Sequence, residues 1–254
     1  RRVLFRSDTK SVYSFMDSVV DLNTYVKRAK ELGYQSIGLM DRDNLYAAYH
    51  FAQLAIRNGL RPLIGTEANL FYEGRKIPFR LLAKNNQGYK NLIKLATELS
   101  SGQREFTYFS DYLNDIALIL PSEDWEPGMS LGSEVFIGVR PEDAGKEFDY
   151  PVVPLHTVRY FENADRSTIQ TLHAISQNVS LSEVSICPMN QLLFSAKEME
   201  EAYSKLPEAL NNLNQLVSDV SYQFDTNLKL PRFNREMPAV DQLRQLRSEE
   251  HTSE

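Results

Sequence analysis

The chain has 254 residues, 42% of them hydrophobic and 24% charged, which is enough apolar material for a sizeable core and argues against disorder. Its net charge of −6, without any basic run, counts against a stand-alone nucleic-acid binder, because phosphate neutralisation supplies most non-specific affinity. No apolar run approaches the roughly 18 residues of a membrane span, no secretory signal is visible, and the single cysteine, Cys187, excludes an internal disulfide and fits a reducing, cytoplasmic setting.

The two ends read as foreign. Back-translated, residues 247–254 and 1–7 can be encoded by opposite strands of one oligonucleotide that resembles a sequencing-library adapter. Both tails are set aside in reasoning about the fold. The rest is expected to be a gene fragment, truncated at least on its C-terminal side, with a domain over 8–224 and a linker over 225–246 carrying Pro231 and Pro238. Within the domain, Leu22, Tyr25, Val26, Ala29 and Leu32 recur at helical spacing, and Gly33 follows as a cap. Residues 36–40 predict a buried strand. Leu45, Ala48, Ala52, Ala55 and Ile56 make the next helical face, closed by Gly59. Residues 63–72 and 77–83 predict strands around a turn at 73–76. Residues 85–88 turn into a helix with Leu92, Leu95, Ala96 and Leu99 inward. The stretch 102–114 is the least patterned. The apolar runs 116–120, 135–139 and 152–155 are typical of parallel strands. Helices are expected over 164–176, 196–204 and 208–220, the last behind Pro207. Repeated βα units imply an α/β fold with a parallel sheet, and the pattern alone leaves a barrel and a doubly wound sheet open.

Several segments, in order, carry a family likeness: Tyr13-Ser14-Phe15-Met16-Asp17, residues 26–34, 61–67, 81–85 with 88–92, 206–210 and 230–233. Through them the chain resembles the PHP (polymerase and histidinol phosphatase) domains of bacterial DNA polymerase III alpha subunits, in the version of low-GC Gram-positive bacteria. The resemblance implies a distorted (β/α)7 TIM-like barrel. It also implies a parent that is a DNA-directed DNA polymerase, a nucleotidyltransferase of DNA replication. Its core, with Mg2+, would lie beyond this fragment and would be the domain's partner in the same chain. Other replisome subunits, such as a separate exonuclease, are further partners the resemblance allows; DNA would be met only through the full-length protein.

The departures from the family matter more than the matches. The family's His-x-His falls on Asp8 and Lys10. Its Asp-His-Gly-Asn keeps Asp41 and Asn44 but has Arg42 and Asp43 between them. The third-strand glutamate is kept as Glu67, and a later Asn-Asp-x-His becomes His156-Thr157-Val158-Arg159. Family sites hold two or three divalent metals on imidazole and carboxylate ligands, whereas ammonium and guanidinium only donate. Lys10, Arg42 and Arg159 therefore read as replacements for the metal charge, expected to pair with Asp41, Glu67 and Asp8 in the old pocket, of which Thr157 is a further remnant. On this reading the domain itself binds no metal or cofactor, and the fragment is a structural scaffold for the polymerase core. The alternative is a metal-dependent phosphoesterase or 3′–5′ exonuclease with a residual site; Asp41, Glu67 and a displaced His156 are few ligands for it.

Plainer readings stand beside these. Asp41-Arg42-Asp43 also reads as a solvated charged turn. His50 and His173 read as ordinary helix residues, His156 as structural, Cys187 as a buried thiol, and Tyr108-Phe109 as packing. His251 falls in the excluded tail. No phosphate-binding glycine loop, Gly-x-Ser-x-Gly, Cys-x-x-Cys or His-Glu-x-x-His occurs.

Overall fold

The computed structural model describes residues 5–6, 8–132, 134–223, 237 and 240–245. Residues up to Gln223 form one compact unit. In the second unit, from Phe224 on, residues 240–245 are helical and residue 237 lies in a bend; the other residues of the expected linker and the C-terminal tail lie outside the described residues.

The strands are β1 (Phe5–Arg6), β2 (Asp8–Thr9), β3 (Ser36–Arg42), β4 (Arg61–Tyr72), β5 (Arg75–Ala83), β6 (Ile116–Pro121), β7 (Val135–Val139), β8 (Val152–Pro154) and β9 (Thr157–Val158). The helices are α1 (Leu22–Glu31), α2 (Ala48–Arg57), α3 (Asn86–Ser100), α4 (Asp165–Gln177), α5 (Ala196–Ala202) and α6 (Pro207–Asp219). Seven strands form one sheet in the order β1-β3-β4-β5-β6-β7-β8. β2 continues the chain from β1, and β9 follows β8; their parallel pairing, Asp8 with Thr157, brings the two edges of the sheet together. The result is the distorted barrel expected from the sequence, with β5 the strand that runs antiparallel to its neighbours. The first strand begins at Phe5, inside the tail that the sequence reading set aside; parallel pairing to Ser36 and Ile37 is a main-chain property and is open to any side chain.

Local chemistry accounts for the elements. The Asp21 carboxylate accepts from Asn23 and Thr24 N–H and caps α1, whose Leu22, Tyr25, Val26 and Ala29 are buried. Tyr25 then locks the helix to the sheet: it accepts from Thr9 Oγ1 at 2.9 Å and donates to the Gly38 carbonyl at 2.9 Å. The turn between β4 and β5 is shorter than read from sequence. Glu73 and Gly74 both have positive φ, 50° and 78°, as a two-residue hairpin turn matching strand twist requires. In α2 the buried aromatic is Phe51, and Ile56, expected inside, is 56% exposed. The helix begins only at Ala48, so its inward stripe falls on Ala48, Phe51, Ala52 and Ala55. Residues 102–114 contain a short 3-10 turn, Phe106–Tyr112.

Alternation along the strands sorts the core into two layers. Phe79, Leu81, Ala83, Ile116, Leu118 and Leu120 face α3 on one side. Met40, Leu63, Leu82, Ala117 and Ile119 face α6 on the other. Gly65 belongs to the second set, and a Cβ there would sit 2.4 Å from the Leu81 carbonyl oxygen. Among the described residues no helix is long and apolar enough to cross a membrane.

Candidate functional site

Backbone register assembles the site. Arg42 at the end of β3 pairs with Glu67 on β4, and Glu67 pairs with Arg80 on β5. Glu67 and Arg80 thus continue the face that carries Leu63 and Leu82, one layer beyond the apolar packing. Asp8 and Lys10 enter beside them from β2. The cluster lies near the C-terminal ends of β2 and β3, where barrels usually place chemistry.

Lys10 is fully buried at its centre. Its ammonium lies 2.8 Å from Asp8 Oδ1 and 2.9 Å from Glu67 Oε2, and donates to the Met40 carbonyl at 2.7 Å. Arg80, also buried, reaches the same two carboxylates: Nε is 3.2 Å from Asp8 Oδ2 and Nη2 is 3.2 Å from Glu67 Oε2. Its Nη1 donates to the Pro78 carbonyl at 2.6 Å. Thr157 Oγ1 donates to Asp8 Oδ2 at 2.5 Å. Burial by itself would raise both carboxyls, but the attraction of Lys10 and Arg80 outweighs it and holds Asp8 and Glu67 below the usual carboxylate range, Glu67 at about 2.

A second cluster adjoins the first through Arg42. Its Nε is 3.2 Å from Glu67 Oε1 and its Nη2 is 2.6 Å from Asp17 Oδ2. Asp17 Oδ1 lies 3.2 Å from Arg159 Nε and 3.1 Å from His173 Nε2. Against the upward push of burial, Arg159 and Arg42 hold the Asp17 carboxyl down.

The expected pairings are met in part. Lys10 takes Asp8 and Glu67, and Arg42 takes Glu67. The pairing expected for Asp41 is not found, and Arg159, expected at Asp41, Glu67 or Asp8, faces Asp17 instead, at 3.2 Å. Asp41 accepts instead from Ser11 N, Ser11 Oγ and Ser14 Oγ, each at 2.7 Å. The reason is strand alternation: Met40 and Arg42 share the face of Glu67, and Asp41 points the other way, into the loop after β2. Burial raises its carboxyl despite the serine bonds. The solvated-turn reading of residues 41–43 fails for Asp41, which is buried. Asn44 ties the two loops by donating to the Tyr13 and Arg42 carbonyls at 3.0 and 2.8 Å.

His173, read as an ordinary helix residue, is corrected by its contact with Asp17, since α4 turns this side chain toward the site. His156 Nε2 is 3.0 Å from the Leu192 carbonyl, and its ring packs on Phe194 with centroids 4.8 Å apart. His50 is exposed. Cys187 is buried, with Sγ 2.8 Å from Gln191 Oε1. Phe109 is buried and meets Tyr108 edge-on. His251 lies outside the described residues. The sequence reading missed Arg80, Asp17, Ser11 and Ser14. The signal for Arg80 was present: an arginine inside an apolar strand, facing Glu67 across a two-residue turn.

This donor set does not fit a divalent cation. The space between Asp8 and Glu67 is taken by an ammonium and a guanidinium, which offer no lone pair and repel a dication. Among the described residues no group of three or more His, Cys, Asp or Glu is placed to hold a metal.

Residues 8–126 match the family model described as PHP domain. The chain is 44% identical over 242 residues to the DNA polymerase III subunit alpha of Streptococcus pyogenes serotype M1, covering 94% of this chain and 23% of that protein. It is 25% identical over 275 residues to the subunit of the same name from Halalkalibacterium halodurans, and 28% identical over 238 residues to that of Bacillus subtilis. These alignments cover 93% and 79% of this chain, and 25% and 21% of those proteins. The chain thus spans about a quarter or less of the length of the curated relatives it matches.

Proposed function

The chain carries a PHP domain, and from that premise we propose that it works as the N-terminal PHP domain of a replicative DNA polymerase, a metal-free scaffold packed against the polymerase core of the same chain. The observation that supports this is the Lys10 ammonium, 2.8 Å from Asp8 and 2.9 Å from Glu67, standing where a bound cation would have to sit. Arg80 closes the same two carboxylates from the other side. A centre of this kind holds strands together: four basic side chains (Lys10, Arg42, Arg80, Arg159) pair with three carboxylates (Asp8, Asp17, Glu67) drawn from β2, β4 and the loop after β2. In this reading the centre supplies no metal-bound hydroxide, and its cations are engaged by carboxylates. Nucleotidyl transfer, with its Mg2+, belongs in this reading to the part of the polymerase beyond the present chain, and so does contact with DNA.

The test is elemental analysis of the purified chain together with a phosphodiesterase and 3′–5′ exonuclease assay in Mn2+ and Zn2+. Absence of stoichiometric metal and of hydrolysis is expected. Stoichiometric metal with hydrolysis abolished in Glu67→Gln would establish the phosphoesterase reading instead.

A further inference from the structure

The loop after β2 inverts the usual arrangement of a surface turn. Ser14 N–H donates to the Ser11 carbonyl at 2.9 Å, and Asp17 N–H to the Ser14 carbonyl at 3.0 Å. Residues 11–17 thus make two successive β-turns that share Ser14. Ser11, Ser14 and Asp17, at the turn ends, are buried. Their side chains hold the loop down: the serines donate to Asp41, and Asp17 meets Arg42, Arg159 and His173. The turn tips are apolar and face outward, Val12 and Tyr13 on the first turn, Phe15 and Met16 on the second, with Phe15 70% exposed. Apolar residues exposed singly are ordinary, but four on adjoining turns make a patch. Met16 has a φ of 61°, a left-handed conformation that glycine takes freely and methionine only at a cost. The buried polar ends hold it there.

Asn44 extends the patch. Its side chain donates to the Tyr13 carbonyl at 3.0 Å and accepts from Tyr46 N–H at 3.1 Å, which draws the loop of Tyr46, also 70% exposed, against that of Tyr13. The carboxylates of the two loops are engaged: Asp17 as above, and Asp43 with Arg104 at 2.8 Å and Asn69 N–H at 3.1 Å. Arg42 is different. Its Nε and Nη2 are taken by Glu67 and Asp17, but Nη1 has no partner among the described residues, on a half-exposed side chain. Tyrosine, phenylalanine, methionine and arginine are the residues that protein interfaces favour. Five apolar side chains beside an arginine suit a small, reversible contact better than a large, permanent one. A guanidinium edge with no free carboxylate on either loop complements an acidic partner.

We propose that Val12, Tyr13, Phe15, Met16 and Tyr46 form a docking surface for an acidic segment of a separate protein chain, which places apolar side chains on Phe15 and Tyr46 and a carboxylate at Arg42 Nη1. The inference goes beyond the scaffold reading and holds without it, since it needs only these surface residues.

The test titrates the intact chain into a fluorescein-labelled synthetic peptide of leucine, phenylalanine and aspartate and follows fluorescence anisotropy. One control peptide has lysine in place of aspartate, the other alanine in place of leucine and phenylalanine. Phe15→Ser with Tyr46→Ser removes the apolar contact, and Arg42→Gln removes the guanidinium. Saturable binding of the acidic apolar peptide is expected, with both controls inert, and weakened about tenfold or more by either variant and by added salt. The double serine variant is expected to keep the wild-type thermal midpoint, because both side chains it removes are exposed. No binding, equal binding of the lysine peptide, or binding untouched by the variants would overturn the proposal. A lowered midpoint in the double variant would also overturn it, by assigning these side chains to the fold. So would self-association abolished by that variant, which assigns the patch to a second copy. Binding by the chain but not by a longer protein carrying its polymerase core would assign the patch to that core, and equally overturn it.

Discussion

Arg80 stands directly opposite Glu67 across the β4–β5 ladder, and its guanidinium ties that carboxylate to Asp8 on a different strand. Its side chain is 7% exposed, whereas that of Arg42 is 39% exposed. The two arginines touch the same glutamate from opposite environments. Removing Arg80 leaves buried Asp8 with Lys10 as its one remaining cation and Glu67 with Lys10 and the half-exposed Arg42, so Arg80→Ala is expected to cost about 3–5 kcal/mol. Arg42→Ala, screened by solvent, is expected to cost about 1 kcal/mol or less. Urea unfolding of the two variants checks the difference; equal losses would contradict it.

Acid should unfold this domain early. A carboxyl whose folded value is lowered adds stability above its unfolded value and loses it as pH falls toward the folded one. Glu67, held at about 2 against burial by Lys10 and Arg80, and Asp8, held lower still, act in this sense. Asp41, raised by burial, acts in the opposite sense: its contribution is present at low pH and fades as pH rises through its folded value. Asp17, also held down, acts with Glu67 and Asp8, and these lowered groups dominate, so the urea midpoint is expected to fall steadily from about pH 4.5 to about pH 2. In Glu67→Gln that slope should be shallower, on a lower plateau at neutral pH.

Asp41 tests the serine cradle. Three donors converge on its carboxylate, and bonds to a charged acceptor contribute about 1.5–3 kcal/mol each. Ser14→Ala also removes the acceptor of the Arg42 N–H, at 3.1 Å. Ser18 likewise accepts a backbone N–H, from Val20 at 3.1 Å, but its hydroxyl donates to neutral carbonyls of Lys10 and Arg159, so the charged acceptor makes the loss in Ser14→Ala the larger one expected. Thermal unfolding of both variants at neutral pH decides this.

Gly65 is a steric prediction. A Cβ at this position would meet the Leu81 carbonyl oxygen at 2.4 Å, and that oxygen is backbone held in the ladder. Gly65→Ala is expected to destabilise by about 1–3 kcal/mol, as overpacking does. Calorimetry of the variant checks it, and an unchanged transition would show that β4 and β5 can separate locally.

Much of this arrangement was legible in the chain. Apolar runs announced β3, β4, β6 and β7, and the stripe Leu22, Tyr25, Val26 and Ala29 announced α1. Lys10 and Arg42, basic residues at positions where the family resemblance implied metal ligands, pointed to ion pairing with Glu67. β2 and β9 were invisible because two residues each carry no periodicity; only their pairing, about 150 residues apart, gives them meaning. Asp17 and His173 meet across a similar distance, 156 residues. The Asp41 pairing was misjudged because residue type was weighed without strand alternation. Arg80 was overlooked because the expected turn, 73–76, was two residues too long, which hid the register that sets it against Glu67.

Thermal unfolding of the intact chain in chelator, in Mn2+ and in Zn2+, beside Lys10→Met, tests most directly whether basic side chains have taken the place of bound cations. The account predicts a wild-type midpoint indifferent to all three conditions and a large drop in Lys10→Met. A wild-type midpoint lowered by chelator and restored by either metal would contradict it.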